Sequence, residues 1–253
     1  MEVAAYRQFA DLEEDHFWFR GRRAIFFDLL DRLLRGREDL DVLEIGCGAG
    51  GLLRRLARYG RVKGLELSPD LSRMARERSG QPTFCADAYE VPLPDASQDL
   101  VCLFDTIEHI PDEARALAEI RRVLRPGGLV FFSVPAYQFL YSNNDRVAHH
   151  CRRYTRRRLR RTCEAAGLEV RRLTYFNTLL FPLILPAVLA VKFKERLFGV
   201  RDPERTNLSY RFPRLLNAGF ARIMGGERYL LRCLSFPAGH SLIGVFARPA
   251  EGP

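Results

Sequence analysis

The stretch Asp41-Val42-Leu43-Glu44-Ile45-Gly46-Cys47-Gly48-Ala49-Gly50 constrains this chain more than any other. A short apolar run ends in alternating glycines. It then passes into Leu52-Leu53-Arg54-Arg55-Leu56-Ala57, whose apolar positions recur at helical spacing. Strand, tight glycine turn and helix form the first unit of an α/β sheet that cradles a nucleotide-like ligand. Glu44 stands near the end of the strand, where a loop built to hold phosphate avoids negative charge.

The rest of the chain repeats the alternation. Val62 to Leu67 reads as a second strand, and Ser68-Pro69-Asp70 opens a helix with proline in its first turn. Pro82 to Cys85 is a short third strand and Asp99 to Phe104 a fourth. A helix over 112–124 stops before Pro126-Gly127-Gly128, and Leu129 to Val134 is the fifth strand. Ahead of them, residues 1–38 carry Phe26, Leu29, Leu30, Leu33 and Leu34 at helical spacing, with Gly36 as a stop. Thr155 is a good N-cap for a helix that ends at Gly167; Leu168 to Tyr175 and Ser241 to Arg248 read as the sixth and seventh strands. The pattern is that of a doubly wound, mostly parallel sheet. It divides into an N-terminal helical cap (1–38), a core (39–175), a helical and apolar insertion (176–240) and a last strand with tail (241–253). The insertion is far longer than ordinary connections of roughly 4–6 residues.

At 253 residues, 47% of them apolar, the chain suits one α/β domain with an appended lid. The net charge of +9 is almost all arginine, since lysine occurs only at 63, 192 and 194. The six cysteines form no C-x-x-C pair and no zinc-like spacing, which points to a reduced, cytosolic chain. The acidic N-terminus lacks the apolar centre of a signal peptide.

Glu44, Gly46, Gly48 and Gly50 read E-x-G-x-G-x-G. With Ile107-Glu108-His109-Ile110 and Arg122-Val123-Leu124-Arg125-Pro126-Gly127-Gly128, residues 41–134 resemble the cofactor-binding core of the class I S-adenosylmethionine (SAM) methyltransferases. The subgroup resembled acts on small molecules, quinones and sugars. The resemblance implies a Rossmann-like α/β fold whose seven-stranded, mostly parallel sheet runs 3-2-1-4-5-7-6. It implies SAM as cofactor and S-adenosylhomocysteine as product. Glu44 would meet the ammonium, and Gly46, Cys47, Gly48 and Gly50 would bring backbone to the methionine portion. Glu66 and Leu67 would hold the ribose, Asp87 and Ala88 the adenine, and Asp105 would lie beside the sulfonium. Nicotinamide dehydrogenases share a glycine turn but fit this spacing less well.

The flanks His16-Phe17-Trp18-Phe19-Arg20-Gly21-Arg22-Arg23 and His149-His150-Cys151-Arg152-Arg153-Tyr154 resemble a bacterial branch associated with surface-polysaccharide and secondary-metabolite pathways. That resemblance makes Arg23, then Arg20, the arginine expected to meet the SAM carboxylate. It makes His16, Trp18, Asp145, Arg153 and Tyr154 acceptor-side residues. His150 is the expected general base, with His149 beside it, because an imidazole titrates near neutrality. His109 is assigned to structure. Adjacent histidines in one loop, without a second pair of ligands, give no metal site.

Seven arginines in Arg152–Arg161 read as a solvated helix face or an electropositive rim. The run Leu179 to Val191 is too short, with two prolines, to span a bilayer. It reads as a buried lid helix over the acceptor, or as a peripheral contact with the inner membrane face. The expected activity is methyl transfer, most plausibly to oxygen, on a small-molecule or lipid-linked glycan. The competing readings are a non-catalytic SAM-binding module and a nucleic-acid methyltransferase. The last lacks both a nucleic-acid module and the N/D-P-P-Y type motif after strand four, where Phe104-Asp105-Thr106-Ile107 stands.

Overall fold

The computed structural model describes residues 12–199 and 212–250. The helical reading of residues 1–11 lies outside that range. Strand β1 (Leu40–Ile45) is buried at all six positions, as a central parallel strand covered on both faces must be. Around it β2 (Gly60–Glu66), β3 (Thr83–Cys85), β4 (Gln98–Phe104), β5 (Leu124–Pro135), β6 (Glu169–Phe176) and β7 (Ser241–Ala247) form one sheet in the order β3-β2-β1-β4-β5-β7-β6. β1 to β5 pair in parallel, and β7 runs antiparallel to both β5 and β6. The strand order reverses direction between β1 and β4, so a crevice opens beyond their carboxyl ends.

Helix α1 (Phe17–Leu34) precedes β1, and α2 (Leu53–Leu56) follows the glycine turn. Ser68 caps α3 (Pro69–Ser79), whose Pro69 sits in the first turn and whose C-cap Gly80 adopts φ 70°. Asp112 caps α4 (Glu113–Val123) and Thr155 caps α6 (Arg156–Ala165); α5 (Asn143–Val147) lies between. β5 begins earlier than the sequence suggests. Leu124 pairs with Gln98 and Leu129 with Leu100, so residues 125–128 bulge out of an otherwise continuous strand. Pro126-Gly127-Gly128 is thus a kink inside β5 rather than its boundary.

Each face of the sheet carries its own core. Leu43, Val101, Leu103, Val130 and Phe132 pack with Leu117 and Ile120 of α4 and Leu159 and Cys163 of α6. Leu40, Val42, Cys102 and Phe131 pack with Ile25, Phe26, Leu29 and Leu30 of α1. Phe26 stacks on Phe104 at 5.2 Å between centroids and meets Phe131 and Phe176 edge-on. This aromatic contact fixes α1 over the end of β4.

The insertion divides into two parts. Helix α7 (Phe181–Phe198) has no buried residue, and Leu183 and Phe198 are 64% and 72% exposed. The buried lid helix expected over 179–191 is therefore not what forms. Phe181 of α7 stacks on Tyr137, and Lys192 Nζ donates to the Phe139 carbonyl at 2.5 Å. No helix among the described residues is long and apolar enough to cross a membrane. Helix α8 (Arg214–Leu231) instead packs along α1. A Cβ on Gly21 would lie 2.7 Å from Met224 Cγ, and one on Gly225 would lie 3.4 Å from Ala24 Cβ, so small residues set the approach of the two helices. Asn217 seals the pair by accepting from the Phe17 amide at 2.8 Å and donating to the Asp15 carbonyl at 2.7 Å. The cap and the second half of the insertion are thus one packed layer.

Gly21→Leu should force α1 and α8 apart and lower unfolding stability by about 1–3 kcal/mol. Urea unfolding followed by circular dichroism would read this; an unchanged midpoint would deny the close helix contact.

Candidate active site

The crevice is built from the ends of four strands. After β1 the chain turns through Gly46, Gly48 and Gly50, all at positive φ (70°, 53° and 80°), a region that suits glycine. The Gly46 amide donates to the Leu65 carbonyl at 2.7 Å, tying the turn to β2. A Cβ on Gly46 would collide with the Thr106 side chain. Glu66, at the end of β2, accepts from the Gly48 amide at 2.9 Å and the Ser68 amide at 3.0 Å. Its carboxylate thereby lies against the glycine turn.

Glu44 is only 3% exposed, and its Oε2 has no hydrogen-bond partner among the described residues. Burial pushes its carboxyl well above the usual range; the charges of Glu13 and Glu66 add to this, and Arg22 opposes it. Cys47 is buried beneath the turn, with its thiol pushed up by burial. Beyond β2 and β3, Leu67 is 67% exposed, Ala88 is buried, and the exposed Asp87 accepts from the Tyr89 amide at 3.0 Å. A buried, unpartnered acid beside a glycine cradle is the environment that an ammonium group completes.

Asp105 follows β4 at φ 53°, where it accepts from Ser133 Oγ at 3.0 Å and pairs with Arg22. Arg22 lies over the Phe19 ring at 4.7 Å. Phe19, Arg22 and Phe26 are three and four residues apart on one face of α1, and Phe26 is stacked on Phe104, next to Asp105. The arginine delivered to the strand ends is therefore Arg22. Arg23, one position on, turns to the Glu13 carbonyl and the Glu14 carboxylate, and Arg20 is exposed. Helical phase set by Phe26 distinguishes these neighbours, and that signal was present in the apolar spacing of α1.

On the other side of the crevice, Asp145 is fully buried and draws the loop after β5 together. It accepts from Arg153 Nε at 2.7 Å and Nη2 at 3.0 Å and from the Ser142 amide at 2.8 Å, and it bonds His150 Nδ1 at 2.8 Å. Burial alone would raise its carboxyl, but His150 and Arg153 outweigh that and hold it far below the usual range. Asp145 and Arg153 thus spend their polar atoms on each other and on the loop rather than facing an acceptor. Tyr154 also departs from its expected acceptor role. Its ring is fully buried in the core, and its hydroxyl bonds Glu113 at 2.5 Å. His149 is exposed, at φ 59°. His16 caps α1 through the Trp18 amide and packs on Phe17, while Trp18 stacks on Phe176 and meets His240 edge-on.

The residues that sequence reasoning undervalued are Glu108 and His109, on the short 3-10 turn Ile107–His109 after β4. The His109 ring lies 4.6 Å from that of His150, edge to face. Burial, followed by the neighbouring His150, pushes the His109 imidazole down to about 4. Glu108 is fully buried, and neither of its carboxylate oxygens has a partner among the described residues. Their closeness to His150 comes from β4 and β5 being neighbours, a tertiary fact that loop composition does not carry.

Residues 43–132 match the family model described as a methyltransferase domain. A protein of Mycolicibacterium smegmatis, named a probable S-adenosylmethionine-dependent methyltransferase, is 37% identical over 178 residues, spanning 67% of this chain and 66% of that one. The chain thus matches just under two thirds of that relative's length, and about half that of the related Mycobacterium tuberculosis protein. The solved SAM-dependent methyltransferase of Mesorhizobium loti superposes with a TM-score of 0.56 at 17% identity, covering 87% of this chain and 96% of that one. The [4+2]-cyclase SpnF superposes with a TM-score of 0.55 at 20% identity, covering 88% and 81%. At such identities the structures speak for the fold alone.

The raised Glu44 carboxyl generates a pH-linked prediction. A cation arriving beside it lowers its pKa again, so in a pH series SAM binding should expel a proton at pH values between the lowered and the raised pKa. Titration calorimetry in two buffers of different ionisation enthalpy should give different apparent heats, and Glu44→Gln should abolish the difference. Identical heats with the native chain would contradict the assignment.

Proposed function

The chain belongs to the class I SAM-dependent methyltransferase family, and from that premise we propose that it moves a methyl group to a hydroxyl oxygen of a small-molecule or lipid-linked glycan acceptor. SAM, when bound, supplies an electrophilic methyl whose bond to sulfur breaks with the electron pair staying on sulfur, giving S-adenosylhomocysteine. Glu66 accepts the ribose hydroxyls with the lone pairs that the Gly48 and Ser68 amides leave over. Glu44 receives the ammonium, and Asp87 with Ala88 receives the adenine edge. The Arg22–Asp105 pair closes the sulfonium end.

The observation that carries the reaction is the His150–Asp145 contact at 2.8 Å. Asp145 holds Nδ1, which leaves Nε2 as the basic nitrogen. It also stabilises the imidazolium that forms when His150 takes the acceptor's hydroxyl proton. The oxygen lone pair then forms the new carbon–oxygen bond, so charge and atoms balance. Tyr141 fixes the same residue by donating to the His150 carbonyl at 2.7 Å. A lipid-linked acceptor is favoured by the exposed apolar side chains of α7, among them Leu183, Leu189 and Phe193, on a helix that also carries Lys192 and Lys194.

The test supplies methyl-labelled SAM and host extract separated into lipid, macromolecular and small aqueous fractions. Label is expected in the lipid or the small aqueous fraction, and lipid label would make α7 the acceptor's entrance. Label in nucleic acid would overturn the acceptor class. No label despite saturable SAM binding would favour a non-catalytic binding module. With the acceptor in hand, His150→Ala should lower kcat by roughly 10²–10⁴-fold with SAM affinity unchanged. Normal turnover would remove His150 from the chemistry.

A further inference from the structure

The geometry points to a binding site for one divalent first-row transition ion, Zn²⁺ or a neighbour in that series, formed by Glu108, His109 and His150. The ligand atoms of these three side chains all lie within 4.8 Å of one another. Two imidazoles and a carboxylate are a donor set suited to such ions, and three protein ligands leave further positions open.

Three observations make this a built site. Glu108 is fully buried with both carboxylate oxygens unpartnered, a costly arrangement that a cation would relieve. Each histidine has one ring nitrogen already engaged. Asp145 Oδ1 takes His150 Nδ1 at 2.8 Å, and His109 bonds the His149 backbone. A metal-binding histidine is oriented in this way, with its second nitrogen held by a carboxylate or a carbonyl. The two loops are also stitched together. The Cys151 amide donates to the Glu108 carbonyl at 2.7 Å, and Arg152 Nη2 donates to the Pro111 carbonyl at 2.7 Å. The third ligand is thereby held against the other two by backbone.

The site stands on this geometry alone, while its role rests on the proposed methyl transfer. An ion held there by Glu108, His109 and His150 would supply a Lewis acid able to lower the pKa of the acceptor hydroxyl. Such an ion would occupy the His150 nitrogen that the base role uses, so in the metal-bound chain the hydroxyl proton would pass to bulk water in place of His150, and the oxygen lone pair would still form the bond to the methyl carbon.

The test strips the full chain with a chelator and titrates it with Zn²⁺ by calorimetry and with Co²⁺ by visible absorption. One ion per chain is expected. His109→Ala, His150→Ala and Glu108→Gln should each weaken Zn²⁺ binding at least tenfold, and Asp145→Asn by about 10–100-fold. Cys151→Ser should leave it unchanged. SAM binding and circular dichroism verify that each variant is folded. Where Glu108→Gln does not fold, the two histidine variants decide. Absence of saturable binding by the native chain, or binding indifferent to His109 and His150, overturns the site. Loss of turnover in His150→Ala without any metal binding leaves the base reading standing alone. Metal binding without methyl transfer to any fraction would instead sink the proposed function.

Discussion

The carboxylate of Glu66 reaches across the end of β2 to hold the Gly48 and Ser68 amides, and the rest of the crevice takes its register from that grip. Three glycines at positive φ make a turn that loses much conformational entropy when it is fixed. One buried acid with two amide donors turns it into a fixed cradle. Glu44 beneath it, Asp105 beyond β4 and the loop after β5 then occupy definite positions around one space.

The acids around that space differ in what satisfies them. Asp145 is filled by Arg153, His150 and Ser142, and Asp105 is paired with Arg22 and Ser133. Glu44 and Glu108 are buried with oxygens left over. In a medium of low dielectric an unpartnered carboxylate is costly, so the first two are satisfied within the protein and the last two keep room for a cation. In the proposed function the cation at Glu44 is the ammonium of the cofactor, and in the proposed metal site the cation at Glu108 is a transition ion.

Much of this was legible because it is local. The apolar run and glycine spacing of residues 41–50 placed β1 and its turn, and Ser68-Pro69 and Thr155 marked helix starts that form as read. What escaped depends on contacts between distant segments. α8 finds α1 through Gly21, Met224 and Gly225, about 200 residues apart, and no local pattern names that partner. The apolar run of α7 looked like buried helix, yet it remains exposed while the more polar α8 takes the core position. Arg22 rather than Arg23 reaches Asp105 because Phe26 sets the phase of α1. Tyr154 looked like a pocket residue, but its ring fills the core and Glu113 holds its hydroxyl.

In the proposed function Glu66 both organises the glycine turn and receives the cofactor's ribose. The most direct measurement is equilibrium calorimetry of SAM with the native chain and with Glu66→Ala, each verified as folded. One molecule bound per native chain, and affinity at least tenfold weaker without the carboxylate, is the expected result; that loss corresponds to about 1.4 kcal/mol. Equal affinity in the two proteins would contradict the account.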